Sequence, residues 1–82
     1  MKSAKEFAEE YFENFEEYEE EARREREQSV DWDLVRKKCT PKQIEAIRVF
    51  VRYRFYEGAA SIAQMDLLDF IELLDSLGIV RA

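Results

Sequence analysis

The chain has 82 residues, 19 of them acidic and 13 basic, for a net charge of −6, and 46% are hydrophobic, including six Phe, four Tyr and one Trp. That length suits one domain with a globular rather than disordered composition, and two Gly and one Pro leave little turn material for a sheet. With no His and only Cys39, a Ser-His-Asp triad, a Cys-His pair, a Cys/His zinc site and an internal disulfide are all excluded.

The expectation is therefore an all-α, non-catalytic protein without metal or cofactor. Its single Cys points to a reducing, cytoplasmic compartment. No apolar h-region follows the charged first residues, and no run approaches eighteen apolar residues, so neither secretion nor membrane spanning is expected. A single domain over 1–82 is predicted, built from a long acidic amphipathic helix in 1–29 and a compact three-helix portion in 30–82. Charge divides along the same lines. Residues 1–29 hold eleven Glu against five basic residues, residues 30–64 seven basic against four acidic, and residues 65–82 four acidic against one basic.

The first helix is predicted from Ser3 to Gln28. Ser3 and Glu6 fit a capping box, and Arg23, Arg24 and Arg26 in the last turns complement the helix dipole. At roughly 100° per residue, Ala4, Phe7, Ala8, Tyr11, Phe12, Phe15, Tyr18 and Ala22 share one arc, and Glu6, Glu9, Glu10, Glu13, Glu16, Glu17, Glu20 and Glu21 the opposite one. A helix of this length spans roughly 37 Å, about the width of so small a domain, so part of the aromatic stripe is expected to overhang the core.

A short second helix follows Asp31 as N-cap, burying Trp32, Leu34, Val35 and Cys39. Thr40-Pro41-Lys42-Gln43 then combines an N-cap, a Pro at the first helical position and a capping-box Gln. The third helix is predicted from Pro41 to about Glu57, stopped by Gly58. It has two apolar arcs: Ile44, Ile47, Phe50, Val51 and Phe55 on one side, and Ala46, Val49, Tyr53 and Tyr56 on the other. Such a helix is central or half-covered by a second chain. The fourth helix is predicted from a Ser61-Ile62-Ala63-Gln64 capping box to Leu77, with Gly78 as C′ residue and Ile79 folding back. The whole is expected to be a small bundle of four helices.

Three motifs suggest chemistry. Glu16-x-x-Glu19 and Glu72-x-x-Asp75 resemble the Mg²⁺-holding pairs of all-helical nucleotide pyrophosphohydrolases of the MazG and dimeric dUTPase type, although about fifty residues separate them. The resemblance implies a Mg²⁺-dependent hydrolase; a helix this rich in Glu generates such pairs on solvated faces by itself. Asp75-Ser76-Leu77 resembles the phosphopantetheine serine motif of acyl carrier proteins, but here the helix ends at the Ser instead of beginning after it. The helix–turn–helix segment before Leu77-Gly78-Ile79-Val80-Arg81 resembles the core of winged-helix regulators. Its second helix exposes Asp66, Asp69, Glu72 and Asp75, which oppose the approach of phosphates.

Binding is the leading expectation. The Glu face of the first helix exceeds what solubility requires and would steer onto a basic groove of a protein partner, such as a nucleic-acid-binding protein. Glu9, Glu13, Glu16, Glu17 and Glu20, with Tyr11 and Tyr18, are the candidate contact residues. Small acidic helical proteins of phages and mobile elements inhibit host factors in this manner. The alternative is a nucleic-acid-binding regulator using Lys37, Lys38, Lys42, Arg48 and Arg52 of the basic middle, with Tyr53 and Tyr56 nearby. A chain this short has marginal stability, so a homodimer is expected to share the burial.

Overall fold

A computed structural model describes residues 18–82. Among these residues there is no strand, and five helical segments appear rather than four. They are α1, described over 18–29, then α2 (Trp32–Lys38), α3 (Pro41–Tyr53), α4 (Tyr56–Ala63) and α5 (Leu67–Ser76). The predicted start at Ser3 and most of the predicted first-helix arcs lie outside the described residues.

The local start signals of α2 and α3 act as expected. The Asp31 carboxylate accepts from the Leu34 N–H at 3.2 Å. At the head of α3, the Thr40 N–H donates to Gln43 Oε1 at 2.9 Å, and the Gln43 N–H donates back to Thr40 Oγ1 at 3.2 Å. Two otherwise free amides are satisfied by one reciprocal pair.

The fifth helix arises because two breaks fall elsewhere than at Gly58 and Ser61. α3 stops at Arg54, whose backbone is left-handed (φ 52°, ψ 34°). Breaking there turns Tyr56 toward the core, so that its ring packs against Phe50 at 4.9 Å, tilted by 55°, while Phe50 also meets Phe70 edge-on at 6.2 Å. Gly58 does not terminate anything. It lies inside α4, and the Phe55 ring occupies the space where a Cβ would stand. Ser61, expected as an N-cap, lies near the end of that helix.

α4 ends on a second left-handed residue, Gln64 (φ 56°). The Gln64 N–H donates to Ser61 O and the Met65 N–H to Ala60 O, both at 3.0 Å, which is a Schellman closure. The same closure ends α5 as expected, with Gly78 left-handed and the Ile79 N–H donating to Leu74 O at 3.0 Å. Glycine is the favoured residue at that position and Gln64 is not. Gln64→Gly is expected to raise stability by up to about 1 kcal/mol, seen as a higher midpoint in urea with an unchanged slope.

The core draws on every described helix except α1 and on two further segments. Val30, Val35, Ala46, Ile47, Phe50, Val51, Ala59, Ala60, Ala63, Phe70, Leu74, Leu77 and Ile79 are buried together. The expected two-sided third helix resolves into one buried arc, Ala46, Ile47, Phe50 and Val51, with Tyr53 and Phe55 left exposed.

Candidate interaction surface

The described part of α1 meets the core only at its C-terminal end. Tyr18, Glu19, Glu20 and Glu21 are all exposed, Ala22 is half-buried, and Arg26 is the first fully buried side chain. Tyr18 is 72% exposed although it belongs to the predicted apolar arc. The uncovered aromatic therefore sits directly beside three carboxylates. Of the predicted contact residues, Tyr18 and Glu20 are placed on this open end; Glu9, Tyr11, Glu13, Glu16 and Glu17 lie outside the described residues.

Arg26 anchors that end, a role beyond the complement to the helix dipole that its place in the sequence suggests. It is 1% exposed. Its Nε–H donates to Val51 O at 2.9 Å and Nη1 to Ala82 O at 2.6 Å, while Nη2 is buried without a partner. Val51 O belongs to the last turn of α3, where carbonyls lack intrahelical donors. The guanidinium therefore caps α3 at the end where the helix dipole favours a cation. Burial lowers its pKa, opposed chiefly by Glu19; an Arg remains charged at neutral pH regardless. Ser29 Oγ, which donates to Arg26 O at 2.7 Å, also accepts from the Val80 N–H at 3.0 Å and holds the final segment alongside α1. A signal for this was present: stepping four residues on from Ala22 along the apolar stripe lands on Arg26, then on Val30.

The basic middle forms a second exposed surface. Lys37, Lys38, Lys42, Arg48 and Arg52 are all exposed. Arg48 lies over the Trp32 ring at 5.8 Å, at the opposite end of α2 from Lys37 and Lys38, and Arg52 lies 5.5 Å from the Tyr53 ring. Tyr56, expected among these aromatics, instead packs on Phe50. Among the described residues the ion pairs are Arg36–Asp33 at 2.6 Å, within α2, and Arg81–Asp75 at 3.3 Å. Neither joins the basic middle to the acidic segments. Glu45 shares the exposed face of α3 with Lys42 and Arg48 and dilutes it.

Among the described residues no group of three His, Cys, Asp or Glu converges to hold a metal. Glu72 is exposed, and Asp75 is engaged by Arg81. Cys39 is a half-buried thiol whose pKa is raised by burial, the wrong direction for a nucleophile. An open groove between the head of α3 and the end of α4 is lined by Thr40, Pro41, Lys42, Gln43, Ala63, Gln64 and Met65, and carries no paired titratable groups. No described helix is long and apolar enough to cross a membrane. No protein-family model matches the chain, and comparison with curated proteins and with solved structures finds no similar one.

Proposed function

We propose that this chain is a non-catalytic interaction protein that docks its acidic first helix on a basic surface of a protein partner. The observation that carries the reading is the open end of α1, where Tyr18 and Glu19 to Glu21 stand free of the core. Carboxylates raise the encounter rate with a basic groove, and a tyrosine supplies contact area at low entropic cost. Where that groove is a nucleic-acid channel, occupancy makes the chain an inhibitor. Reversing Glu13, Glu17 and Glu20 to Lys is expected to abolish partner binding while the far-ultraviolet dichroism stays helical. Unchanged affinity in that variant refutes the electrostatic mechanism.

A second reading has its own support, because the basic middle is exposed and, among the described residues, its Lys37, Lys38, Lys42, Arg48 and Arg52 form no ion pair. In this reading the chain binds nucleic acid through phosphate contacts. Arg48→Glu combined with Arg52→Glu is then expected to abolish retardation of a DNA or RNA probe. Retardation that persists in the double variant excludes this surface.

A further inference from the structure

One run of exposed side chains combines aromatic rings with guanidinium groups. Arg52, Tyr53, Arg54 and Phe55 are four consecutive exposed residues at the junction of α3 and α4, with Tyr53 65% and Phe55 58% accessible. Their arrangement is specific. Arg54 adopts a left-handed backbone that residues with a side chain rarely take. The Phe55 ring lies against the bare Cα of Gly58, leaving its outer side to solvent. The Arg52 guanidinium sits by the Tyr53 ring. Two exposed rings and two exposed arginines within four residues make this junction a cationic aromatic surface, a platform suited to an aromatic that arrives with negative charge.

The same chain carries that complement. Tyr18, Glu21 and Glu25 recur at i, i+3 and i+7 on α1 and therefore share a face, and all three are exposed. Glu21 and Glu25 are like charges one turn apart, an arrangement that repels until cations face it. The Arg26 bond to Val51 O ties this part of α1 to the last turn of α3, out of which the platform emerges. Acidic-aromatic and basic-aromatic patches are thus carried by neighbouring elements of one molecule. A two-fold axis between two copies lets each patch meet its opposite, which is the condition for a closed, isologous contact.

We propose that the chain self-associates as a two-fold dimer in which the Tyr18–Glu21–Glu25 stripe of each copy docks on the Arg52–Phe55 platform of the other. This rests on the reading of α1 as the docking element and names a second copy as an occupant of that helix. A single nucleic-acid strand could also stack on Tyr53 and Phe55, but the carboxylates of α1, the helix tied to the end of α3, oppose its phosphates and attract nothing from it.

The test is sedimentation velocity of the full chain across the micromolar range, with helicity followed by circular dichroism. The wild type is expected to show the mass of two chains at moderate ionic strength and of one chain in high salt. Glu21→Lys with Glu25→Lys, and separately Arg52→Glu with Arg54→Glu, are each expected to give monomers. An equimolar mixture of the two variants is expected to restore the dimer, because both contacts of the mixed pair regain opposite charges. Tyr18→Ser, at a position too exposed to matter for folding, is expected to weaken association at least tenfold without loss of helicity. A monomeric wild type, variants that remain dimeric, or a mixture that stays monomeric each overturns the proposal. So does a monomeric wild type that binds an oligothymidine through Arg52 and Arg54, which hands the platform to nucleic acid. A monomer that still binds its protein partner through α1 refutes the dimer alone. A dimer whose partner binding survives reversal of Glu13, Glu17 and Glu20 refutes the electrostatic docking of the partner instead.

Discussion

Phe50→Ala is expected to lower the unfolding free energy by about 3–5 kcal/mol, the usual range for removing a buried phenylalanine. Phe50 is wholly buried and holds three helices together, since its ring meets Tyr56 of α4 and Phe70 of α5. Truncation removes both aromatic contacts and leaves a void that Val51 and Ile47, fixed on the same α-helix, cannot fill by a small shift. At about 0.05–0.15 kcal/mol per residue, a chain of this size is stable by only about 4–12 kcal/mol. The loss is therefore a large fraction of the whole. Urea unfolding followed at 222 nm should show a greatly lowered midpoint, with Phe50→Leu falling much less. Phe55→Ala provides the contrast. Its ring is more than half exposed, so a change within about 0.5 kcal/mol is expected. A large loss there would mean that the ring's seat on Gly58 belongs to the core.

The second large effect is expected at Arg26. Arg26→Ala removes a long buried side chain and leaves the Val51 carbonyl at the end of α3 without its donor, for a cost of about 2–4 kcal/mol. Opposing this, the wild type buries a charge with Nη2 unpaired, and the substitution relieves that desolvation. Arg26→Met separates the two contributions. It keeps the apolar stem and discards the buried charge, and should recover about half of the loss, leaving the missing hydrogen bonds as the remainder. Hydrogen exchange at the Val80 amide, which donates to Ser29 Oγ, should accelerate in both variants as the final segment loosens from α1. If Arg26→Ala unfolds at the wild-type midpoint, the guanidinium is not the link between α1 and the core.

The helical class and the starts of α2 and α3 were legible because they depend on local chemistry. Asp31, Thr40-Pro41-Lys42-Gln43 and Gly78 each act within four residues of themselves, through backbone amides and carbonyls that any observer of the sequence can count. The breaks at Arg54 and Gln64 were not legible. Neither residue favours a left-handed backbone; at Arg54 the break lets Tyr56 pack on Phe50, which also meets Phe70, and that packing offsets the local strain. Gly58 misled for the converse reason. Its missing side chain accommodates a ring and does not end a helix.

The charged surfaces were legible as composition, yet their boundaries were set by packing. Lys37, Lys38, Lys42, Arg48 and Arg52 had to be exposed in any arrangement, whereas Tyr53 separates from Tyr56 only because the helix breaks between them. Tyr18 carries the same lesson on α1. Periodicity assigns it to the apolar face, but nothing in the periodicity says where the core beneath that face ends. Among the described residues of α1, burial begins at about Ala22.

The most direct measurement of the docking account is affinity capture on the full chain from native lysate of the source cell, treated with nuclease and eluted with a salt gradient. One protein with a basic surface is expected, retained after nuclease, released as salt rises and lost when Glu13, Glu17 and Glu20 are reversed to Lys. Retention that vanishes with nuclease, or a partner indifferent to both salt and the reversal, contradicts the docking account.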